Sequence, residues 1–501
     1  MNKPLMKKPL MKKPMSKFLF CLGLPFVLTL NACAAGGLGE AISNTAGSIN
    51  PFNRGNTNAS QGEVAGDESR VSILSLDESL VVSGAIRPED IILPDPYVNT
   101  DWPQTGGNTF HTVQHTQTDG SLDRLWSKDV GAGSGRKSRI LATPVISSGR
   151  LFVMDGDNRV KAFDAQTGAP IWSHKIKLTK RERTRTGRRS FVERFKDPLA
   201  VLDRDPITDQ EGIGGGVAID GNVVYATSGL GIIVALDRES GTLLWDKEVR
   251  APMHSSPTIS NGRVFAVTDD NELFAFDTEN GEVLWTYQGI SETARMLTSP
   301  APAVIDDVVV APFASGELIA FQVQNGTILW QDALSSAGRL TPLSSLNDIA
   351  SGPVISDGYV IASAQSGVTS AFDLRTGQRI WAQPAGSIGF PTVVGDFIYL
   401  VTTNSELVCM SKTNGTVVWV EQLPQFKKDK KKKGRISWAG PILTGNKLFV
   451  ASSEGEYYEV NPYNGGIESE GKIGGAVYVP PVIANQTVYV LTDKAKLVAL
   501  Q

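Results

Sequence analysis

Side chains that commonly do chemistry are scarce in this chain and do not form recognisable sets. Only four histidines occur among 501 residues. His111 and His115 have the spacing of a helical metal pair, but they lie in a stretch without helical periodicity. The three cysteines are scattered, so they predict neither a disulfide framework nor a zinc site. Gly214 to Gly216 lack the Lys-Ser/Thr of a phosphate loop. We therefore expect no catalytic residues, no metal and no cofactor.

A repeated motif indicates which elements make up the rest of the molecule. Each copy reads as a strand, a tight turn ending in Gly, and a second strand with Trp four residues after that Gly. In a seventh copy, Glu459 to Ser469, serine replaces the Trp. The complete copies are Ala162 to Trp172, Ala235 to Trp245, Ala275 to Trp285, Ala320 to Trp330, Ala371 to Trp381 and Cys409 to Trp419.

The spacing of these copies predicts the fold. The turn glycines lie 38 to 73 residues apart, which suits four-stranded propeller blades with loops of variable length. The run LDRLWSKDV at 122–130 reads as an isolated fourth strand, and the terminal LVALQ at 497–501 reads as a third strand without a partner. We predict an all-β, eight-bladed β-propeller of four-stranded antiparallel blades, closed by pairing of these N- and C-terminal strands.

The N-terminal region reads as a leader and a spacer. Residues 1–32 combine six lysines with a short apolar run, as in a secretory signal. The sequence Leu30-Asn31-Ala32-Cys33 resembles the lipobox of bacterial lipoproteins, which implies lipidation of Cys33. Residues 33–69 are poor in large apolar groups and predict a flexible tether. We expect 70–100 to lie extended against the domain and 101–501 to form the propeller.

The repeat A-x-D-x-x-T-G-x-x-x-W resembles the PQQ-type, quinoprotein-like propeller repeat. With the lipobox, the tether and the segment DWPQTGGNTFH at 101–111, the chain resembles the BamB family of outer-membrane assembly lipoproteins. That resemblance implies a non-enzymatic scaffold of the β-barrel assembly machinery. It implies a periplasm-facing protein, lipid-anchored to the outer membrane, since Ala34 rather than Asp follows Cys33. Its partners would be the POTRA domains of BamA and other subunits, and it would be monomeric outside that complex.

The resemblance also implies docking residues on two loops between central blades. By position these are Arg295, Met296, Leu297 and Thr298, and then Leu346 and Asp348. The match is partial, because Ala350 stands where that family commonly has a second acid.

Two strongly basic segments follow the outermost strands of their blades and so emerge on one face of the ring. If the chain is exported, their partner is an acidic protein surface or anionic lipid rather than nucleic acid. The alternative is that both basic segments are solvated loops without a binding partner. The basic residues are Arg181, Arg183, Arg185, Arg188 and Arg189 in the first segment, and Lys427, Lys428, Lys430 and Lys431 in the second.

The sequence is also compatible with two other functions. Enzymes with this repeat bind pyrroloquinoline quinone and calcium on the axis, and many carry adjacent cysteines over the cofactor. Here Cys409 is the only thiol in the predicted ring. The other alternative is a propeller that binds a different envelope protein or a glycan.

Overall fold

The computed structural model describes residues 80–136, 138–178, 212–292, 300–334 and 348–501. All of them belong to one compact unit, Ser72–Gln501. They form eight four-stranded antiparallel sheets, each a propeller blade, and one two-stranded hairpin. The predicted all-β, eight-bladed propeller is confirmed. Within the described ranges, no helix is long and apolar enough to cross a membrane.

The strands of each blade follow one another along the chain from the ring axis outward, and blades I to IV come first. Blade I comprises β2 (Val145–Ser147), β3 (Arg150–Met154), β4 (Arg159–Asp164) and β5 (Pro170–Lys175); blade II comprises β6 (Gly215–Asp220), β7 (Val223–Ser228), β8 (Ile232–Asp237) and β9 (Leu243–Glu248); blade III comprises β10 (Thr258–Ser260), β11 (Arg263–Val267), β12 (Glu272–Asp277) and β13 (Val283–Gln288); blade IV comprises β14 (Ala303–Ile305), β15 (Val308–Pro312), β16 (Glu317–Gln322) and β17 (Ile328–Ala333).

Blades V to VIII complete the ring, and a short hairpin follows blade VI. Blade V comprises β18 (Val354–Ser356), β19 (Tyr359–Ser363), β20 (Thr369–Asp373) and β21 (Arg379–Gln383); blade VI comprises β22 (Thr392–Val394), β23 (Phe397–Val401), β24 (Glu406–Ser411) and β25 (Val417–Gln422); the hairpin is β26 (Phe426–Lys428) and β27 (Lys433–Arg435) around a 3-10 turn (Asp429–Lys431); blade VII comprises β28 (Trp438–Thr444), β29 (Lys447–Ser452), β30 (Glu456–Val460) and β31 (Ile467–Lys472); blade VIII comprises β32 (Val482–Ala484), β33 (Thr487–Leu491), β34 (Lys496–Leu500) and β1 (Arg124–Asp129).

The position of a strand within its blade explains its apolar pattern. In blade III the third strand, β12, has four consecutive buried residues because neighbouring blades cover both of its sides. The outermost strand, β13, alternates exposed and half-buried residues instead. Its half-buried Trp285 packs with Phe265 and Phe321, which belong to blades III and IV. Each blade is therefore stabilised mainly by its neighbours.

The turn Gly and the Trp of the repeat contact each other across the boundary between blades. Gly326 of blade IV has φ +72°, and a Cβ placed on it would lie 2.6 Å from Cε3 of Trp285 in blade III. The Trp285 indole N–H donates to the carbonyl of Val323, 3.0 Å away in the same turn of blade IV. The same hydrogen bond recurs from Trp172 to Arg238, Trp245 to Thr278, Trp330 to Leu374, Trp381 to Lys412 and Trp419 to Pro462.

The aspartates of the repeat close these turns. In blade I the Asp164 carboxylate accepts from the backbone N–H and the hydroxyl of Thr167, at 2.8 and 2.7 Å. These hydrogen bonds, the hydroxyl's first, hold the pKa of Asp164 below its usual range. The carboxylate thus fixes the turn that presents its Gly to the Trp of the preceding blade.

The ring closes as predicted. Strand β1 pairs with β34, with Trp126 opposite Ala499 and Asp129 opposite Lys496. Backbone hydrogen bonds of 2.7 and 2.9 Å join Asp123 and Gln501 where the other blades have their Gly turn. Ser469 stands at the Trp position of blade VII, directly before this closing blade. Blade VIII has no Gly turn against which an indole could pack, which explains the missing Trp.

The two faces of the ring are formed by different connections between strands. Connections from the outer strand of one blade to the inner strand of the next emerge on one side, which we call the interblade face. The Gly turns of the repeat lie on the opposite side, the turn face. The described part of the segment before the ring, 80–100, is mostly irregular, and its Ile91 is buried in an apolar cluster with Val394 and Leu443 of blades VI and VII.

Candidate functional site

An irregular segment of the chain, residues 97–118, runs around the inside of the ring, and Tyr97 near its start pairs with Thr116 near its end. We call it the axial segment. It hydrogen-bonds the innermost strand, or the turn directly after it, in each of the eight blades. The partners, from blade I to blade VIII, are Trp102 with Ile146, Pro103 with Ile219, Gln104 with Ile259, Thr109 with Val304, Phe110 with Ile355, Gln114 with Gly395, Thr116 with Leu443, and Asn99 with Ile483.

Polar side chains of the axial segment form hydrogen bonds with backbone groups of the ring. The Gln104 amide donates to the carbonyl of Ile259 and accepts from its N–H, both at 2.9 Å, as a neighbouring strand would. His111 Nδ1 lies 2.7 Å from the carbonyl of Pro353, and burial lowers the His111 pKa to about 4. His115 Nδ1 lies 2.8 Å from the carbonyl of Pro94. Both histidines predicted to lie in a loop thus hold the segment in place.

A cavity of about 50 Å³ lies between the axial segment and blades VI, VII, VIII and I. Thr143, Phe390 and Pro480 line it and precede the inner strands of their blades, so the cavity lies toward the interblade face. Its other lining residues are Trp102, Thr105, Gly106, His111, Val113, Pro391, Thr392, Val393, Gly440, Pro441, Ile442 and Pro481.

Of the predicted docking residues, the structure describes only Asp348. Arg295, Met296, Leu297, Thr298 and Leu346 lie outside the described residues. Asp348 precedes blade V on the interblade face and is 4% exposed. It lines a second cavity together with His254 and Asn271. His254 contacts Asp269 there, with 2.9 Å between Nδ1 and Oδ1. A contact of Asp348 with a partner stays a prediction.

The second basic segment forms the hairpin β26–β27, which we call the basic hairpin. It follows the outer strand of blade VI, and its contacts with Thr403 and Glu454 place it on the interblade face: Arg435 donates to the Thr403 carbonyl, and Lys427 forms an ion pair with Glu454. Every residue from Lys428 to Arg435 is exposed. The first segment, with Arg181, Arg183, Arg185, Arg188 and Arg189, lies outside the described residues, as does Cys33.

The sequence does not predict the way the axial segment binds all eight blades. The only signal was the stretch at 101–111, which carried a family resemblance but no strand or helix pattern. The sequence does not predict the basic hairpin either, because a lysine-rich run does not read as strand. Cys409, by contrast, lies fully buried in β24 opposite Trp419, at the position where the other repeats have Ala.

A family model described as "Outer membrane protein assembly factor BamB" matches residues 104–203 and 204–421. Curated proteins with that same name are similar to the chain. The one from Moranella endobia is 24% identical over 75% of this chain and 89% of its own length. The one from Escherichia coli K12 is 27% identical over 72% of this chain and 84% of its own length.

Solved structures show a similar fold. The crystal structure of BamB from Moraxella catarrhalis aligns with a TM-score of 0.60 at 18% identity, covering 76% of this chain and all of that one. Quinohemoprotein alcohol dehydrogenase from Comamonas testosteroni aligns with a TM-score of 0.55 at 15% identity, covering 80% of each chain. At these identities, the likeness concerns the propeller alone.

The first cavity is too small for the tricyclic quinone of such dehydrogenases. The axial segment runs around the inside of the ring and engages every blade, and the first cavity beside it has room for roughly four water-sized groups. Across the described ranges, no group of three or more His, Cys, Asp or Glu side chains is placed to hold a metal ion.

Proposed function

Because this chain belongs to the family of the outer membrane protein assembly factor BamB, we propose that it is a non-enzymatic scaffold in the assembly of outer-membrane proteins. The proposal rests chiefly on a family match that spans most of the ring, from 104 to 421. The axial segment supports it, since the chain's own backbone and side chains take up hydrogen-bonding groups of all eight inner strands. We place the proposed binding surface on the outside of the ring.

The partner we propose is the POTRA region of a BamA-like barrel protein, bound at the interblade face. The proposed anchors are Met296 and Leu297 in the connection between β13 and β14, with Asp348 before β18. Binding energy at protein interfaces concentrates in a few desolvated apolar and charged groups, which favours such a combination. The basic hairpin lies on the same face and would meet an acidic surface of that partner or anionic lipid head groups.

We propose that the chain is anchored to the outer membrane through a lipidated Cys33, with the propeller facing the periplasm. The lipobox resemblance and the composition of 33–69 support this. One acyl chain binds membranes only marginally, so firm attachment needs more than one chain. Cys33→Ser should abolish incorporation of labelled palmitate and release the protein from the membrane fraction. Labelling of the variant at the level of the unchanged protein would contradict the assignment.

Affinity purification from detergent-solubilised membranes tests the scaffold function and its docking site together. The double variant Met296→Asp/Leu297→Asp should lose the BamA-like partner, because unpaired charge in an interface is costly. A matched control is Ile388→Asp/Tyr478→Asp, which changes two exposed apolar residues in other interblade connections, 40% and 54% exposed. The control should retain the partner, and both variants should keep the cooperative unfolding of the parent.

Two results would contradict these proposals in different ways. Retention of the partner by the first variant, or its loss from both variants, would remove the docking assignment but leave the scaffold function. Absence of any barrel-assembly protein from the parent purification would remove the scaffold function itself. The alternative of a quinone-dependent dehydrogenase would be supported if added pyrroloquinoline quinone and calcium gave a bound chromophore and dye reduction.

A further inference from the structure

The basic hairpin concentrates positive charge at one place on the molecule. Residues 427–435 comprise six lysines, one arginine, one glycine and a single acid, Asp429. Lys427 is paired with Glu454, but across the ranges that the structure describes no carboxylate forms an ion pair with the other five lysines. All of these lysines are exposed. The hairpin therefore presents a dense positive potential to solvent.

The strand pairing of the hairpin brings like charges together. Lys428 lies opposite Lys433 in the two-stranded ladder, and Asp429–Lys431 form the 3-10 turn between the strands. Like charges directly opposite one another destabilise a pair of strands. The hairpin is nevertheless fixed at its base, where the Gln425 amide donates to the carbonyl of Asn404 at 2.6 Å. A negative surface facing the lysines would relieve their repulsion without any change in fold.

The side chains of the hairpin favour a lipid surface over a protein surface. Binding energy between proteins concentrates in Trp, Tyr, Arg and apolar anchors, and lysine is depleted in such interfaces. From Lys427 to Gly434 the hairpin has no aromatic or apolar side chain, and its one arginine, Arg435, donates to the carbonyl of Thr403. Lysine ammonium groups are compact point charges, and a surface of anionic head groups attracts them without requiring a matched shape.

The chain that leads to the predicted tether is fixed to the same blade as the hairpin. The Ser83 N–H donates to the carbonyl of Val417 at 2.9 Å, and Leu80 packs against the apolar cluster that contains Val417. Val417 is accordingly 2% exposed, whereas the corresponding Val283 of blade III is 50% exposed. Strand β25 begins at Val417 and leads to the hairpin, so about 20 Å of strand separates the two attachments on blade VI.

We propose that the basic hairpin binds anionic phospholipid head groups and so forms a second contact with the membrane beside the lipid on Cys33. This inference rests on the proposed outer-membrane location, and it commits to lipid rather than protein as the acidic partner of the hairpin. The predicted tether, residues 33–69, would span roughly 30 Å as a coil, which exceeds the length of β25. Stable anchoring commonly combines an acyl chain with a polybasic patch.

Sedimentation with vesicles tests the inference on a chain without residues 1–33, which keeps the whole compact unit Ser72–Gln501 but has no acyl anchor. The chain should partition at least tenfold more strongly onto phosphatidylcholine vesicles with about one third phosphatidylglycerol than onto pure phosphatidylcholine. Lys430→Glu/Lys431→Glu, which reverses two charges at the turn, should lower the binding to the anionic vesicles at least tenfold.

A matched control is Lys128→Glu/Arg375→Glu. It changes the net charge by the same amount at two exposed positions outside the hairpin, in blades VIII and V. Its binding to the anionic vesicles should equal that of the parent.

A fluorescent label on the hairpin locates the contact. Cys409 is buried and is the only cysteine of the shortened chain, so an environment-sensitive fluorophore on Lys431→Cys reports from the turn of the hairpin. Its emission should shift with the anionic vesicles alone. The same fluorophore on Glu279→Cys, which is exposed in a Gly turn on the turn face, should not respond.

Three results would overturn the inference: equal binding to both kinds of vesicle, equal losses in the two charge variants, or equal responses of the two labels. It would also fail if Lys430→Glu/Lys431→Glu kept its vesicle binding but no longer co-purified the BamA-like partner, because the hairpin would then bind protein. The scaffold function stands in each case, since the vesicle assays contain no assembly protein and the parent still retrieves the partner.

Discussion

At the scale of single residues, the repeat encodes contacts between blades rather than within them. The Gly of each turn lies under the Trp of the preceding blade, and in six of the seven pairs, all except Trp126 over Gly168, the indole N–H donates to a carbonyl of that same turn. Positive φ alone would favour Gly at these positions. The Trp ring adds a second, steric requirement, because it lies where a Cβ would be. Each blade therefore supplies its Gly turn to the preceding blade and its Trp to the following one. Both residues must keep fixed positions within the blade, which accounts for their constant spacing.

The steric requirement can be separated from the backbone requirement by comparing two glycines. Gly326 has φ +72° and lies under Trp285, whereas Gly358 has φ +81° and nothing within 4 Å of the position that a Cβ would take. Gly358→Ala should cost about 1 to 2 kcal/mol of unfolding free energy, from the left-handed backbone alone. Gly326→Ala should cost a further ~1 to 3 kcal/mol, because the new methyl group displaces the indole. Urea denaturation measures both, and equal losses would contradict the role given to Trp285.

At the scale of elements, the basic hairpin is a charged extension fixed to the ring at its base. The Trp438 indole N–H donates to the carbonyl of Pro424, 3.0 Å away, and Ile436 is buried in the core between blades VI and VII. Lys427 forms an ion pair with Glu454 and so holds the first strand. The side chains of Lys428, Lys430, Lys431 and Lys433 are exposed, on an element that the ring orients.

Neutralising those four lysines to Gln should weaken partner or membrane binding without changing stability. Exposed charges mainly steer encounter, so we expect a loss of roughly tenfold at low ionic strength. The effect should vanish near 1 M salt, where the Debye length is about 3 Å. Co-purification and sedimentation with anionic vesicles, each over a salt series, distinguish a protein partner from lipid.

A control for net charge is the quadruple Gln variant of Lys128, Lys177, Lys472 and Lys494, which are exposed and lie outside the basic hairpin, in or next to blades VII, VIII and I. It should bind like the parent in both assays. Equal weakening of the two quadruple variants would show that total charge, rather than the hairpin, determines binding.

The sequence predicted those elements whose signal is local and repeated. The spacing of Gly and Trp predicted the blades, and Trp126 with the unpaired LVALQ run predicted the closing strand pair. The axial segment could not be predicted in the same way, because each of its residues pairs with a different, distant blade. Gln104 meets Ile259, for example, 155 residues away. The first cavity, lined by Thr143, Phe390 and Pro480, forms only once the ring has closed.

At the scale of the whole molecule, closure of the ring depends on one strand. Strand β34 lies between β33 and β1 and covers the edge that each of them would otherwise expose. Four residues of that strand, Leu497 to Leu500, are buried in the cluster shared with blades VII and I. The axial segment binds all eight blades from inside, and the closing pair joins the ring from outside. Both devices link residues far apart in the chain, so the ring should unfold as a single cooperative unit.

Removal of the closing strand tests that cooperativity. A chain truncated after Asp493 lacks β34, which leaves β33 and β1 with unpaired edges and opens the apolar cluster to water. We expect the truncated chain to lose its cooperative thermal transition and to aggregate, because exposed edges pair with other chains. A synthetic peptide of residues Lys494 to Gln501 should restore the transition saturably, by strand addition into the gap. A peptide of the same composition in scrambled order should not, because only the native order buries Leu497 to Leu500 and leaves Lys494 and Lys496 exposed. A truncated chain that melts cooperatively at the parent temperature without the peptide would show that the axial segment alone holds the eight blades together.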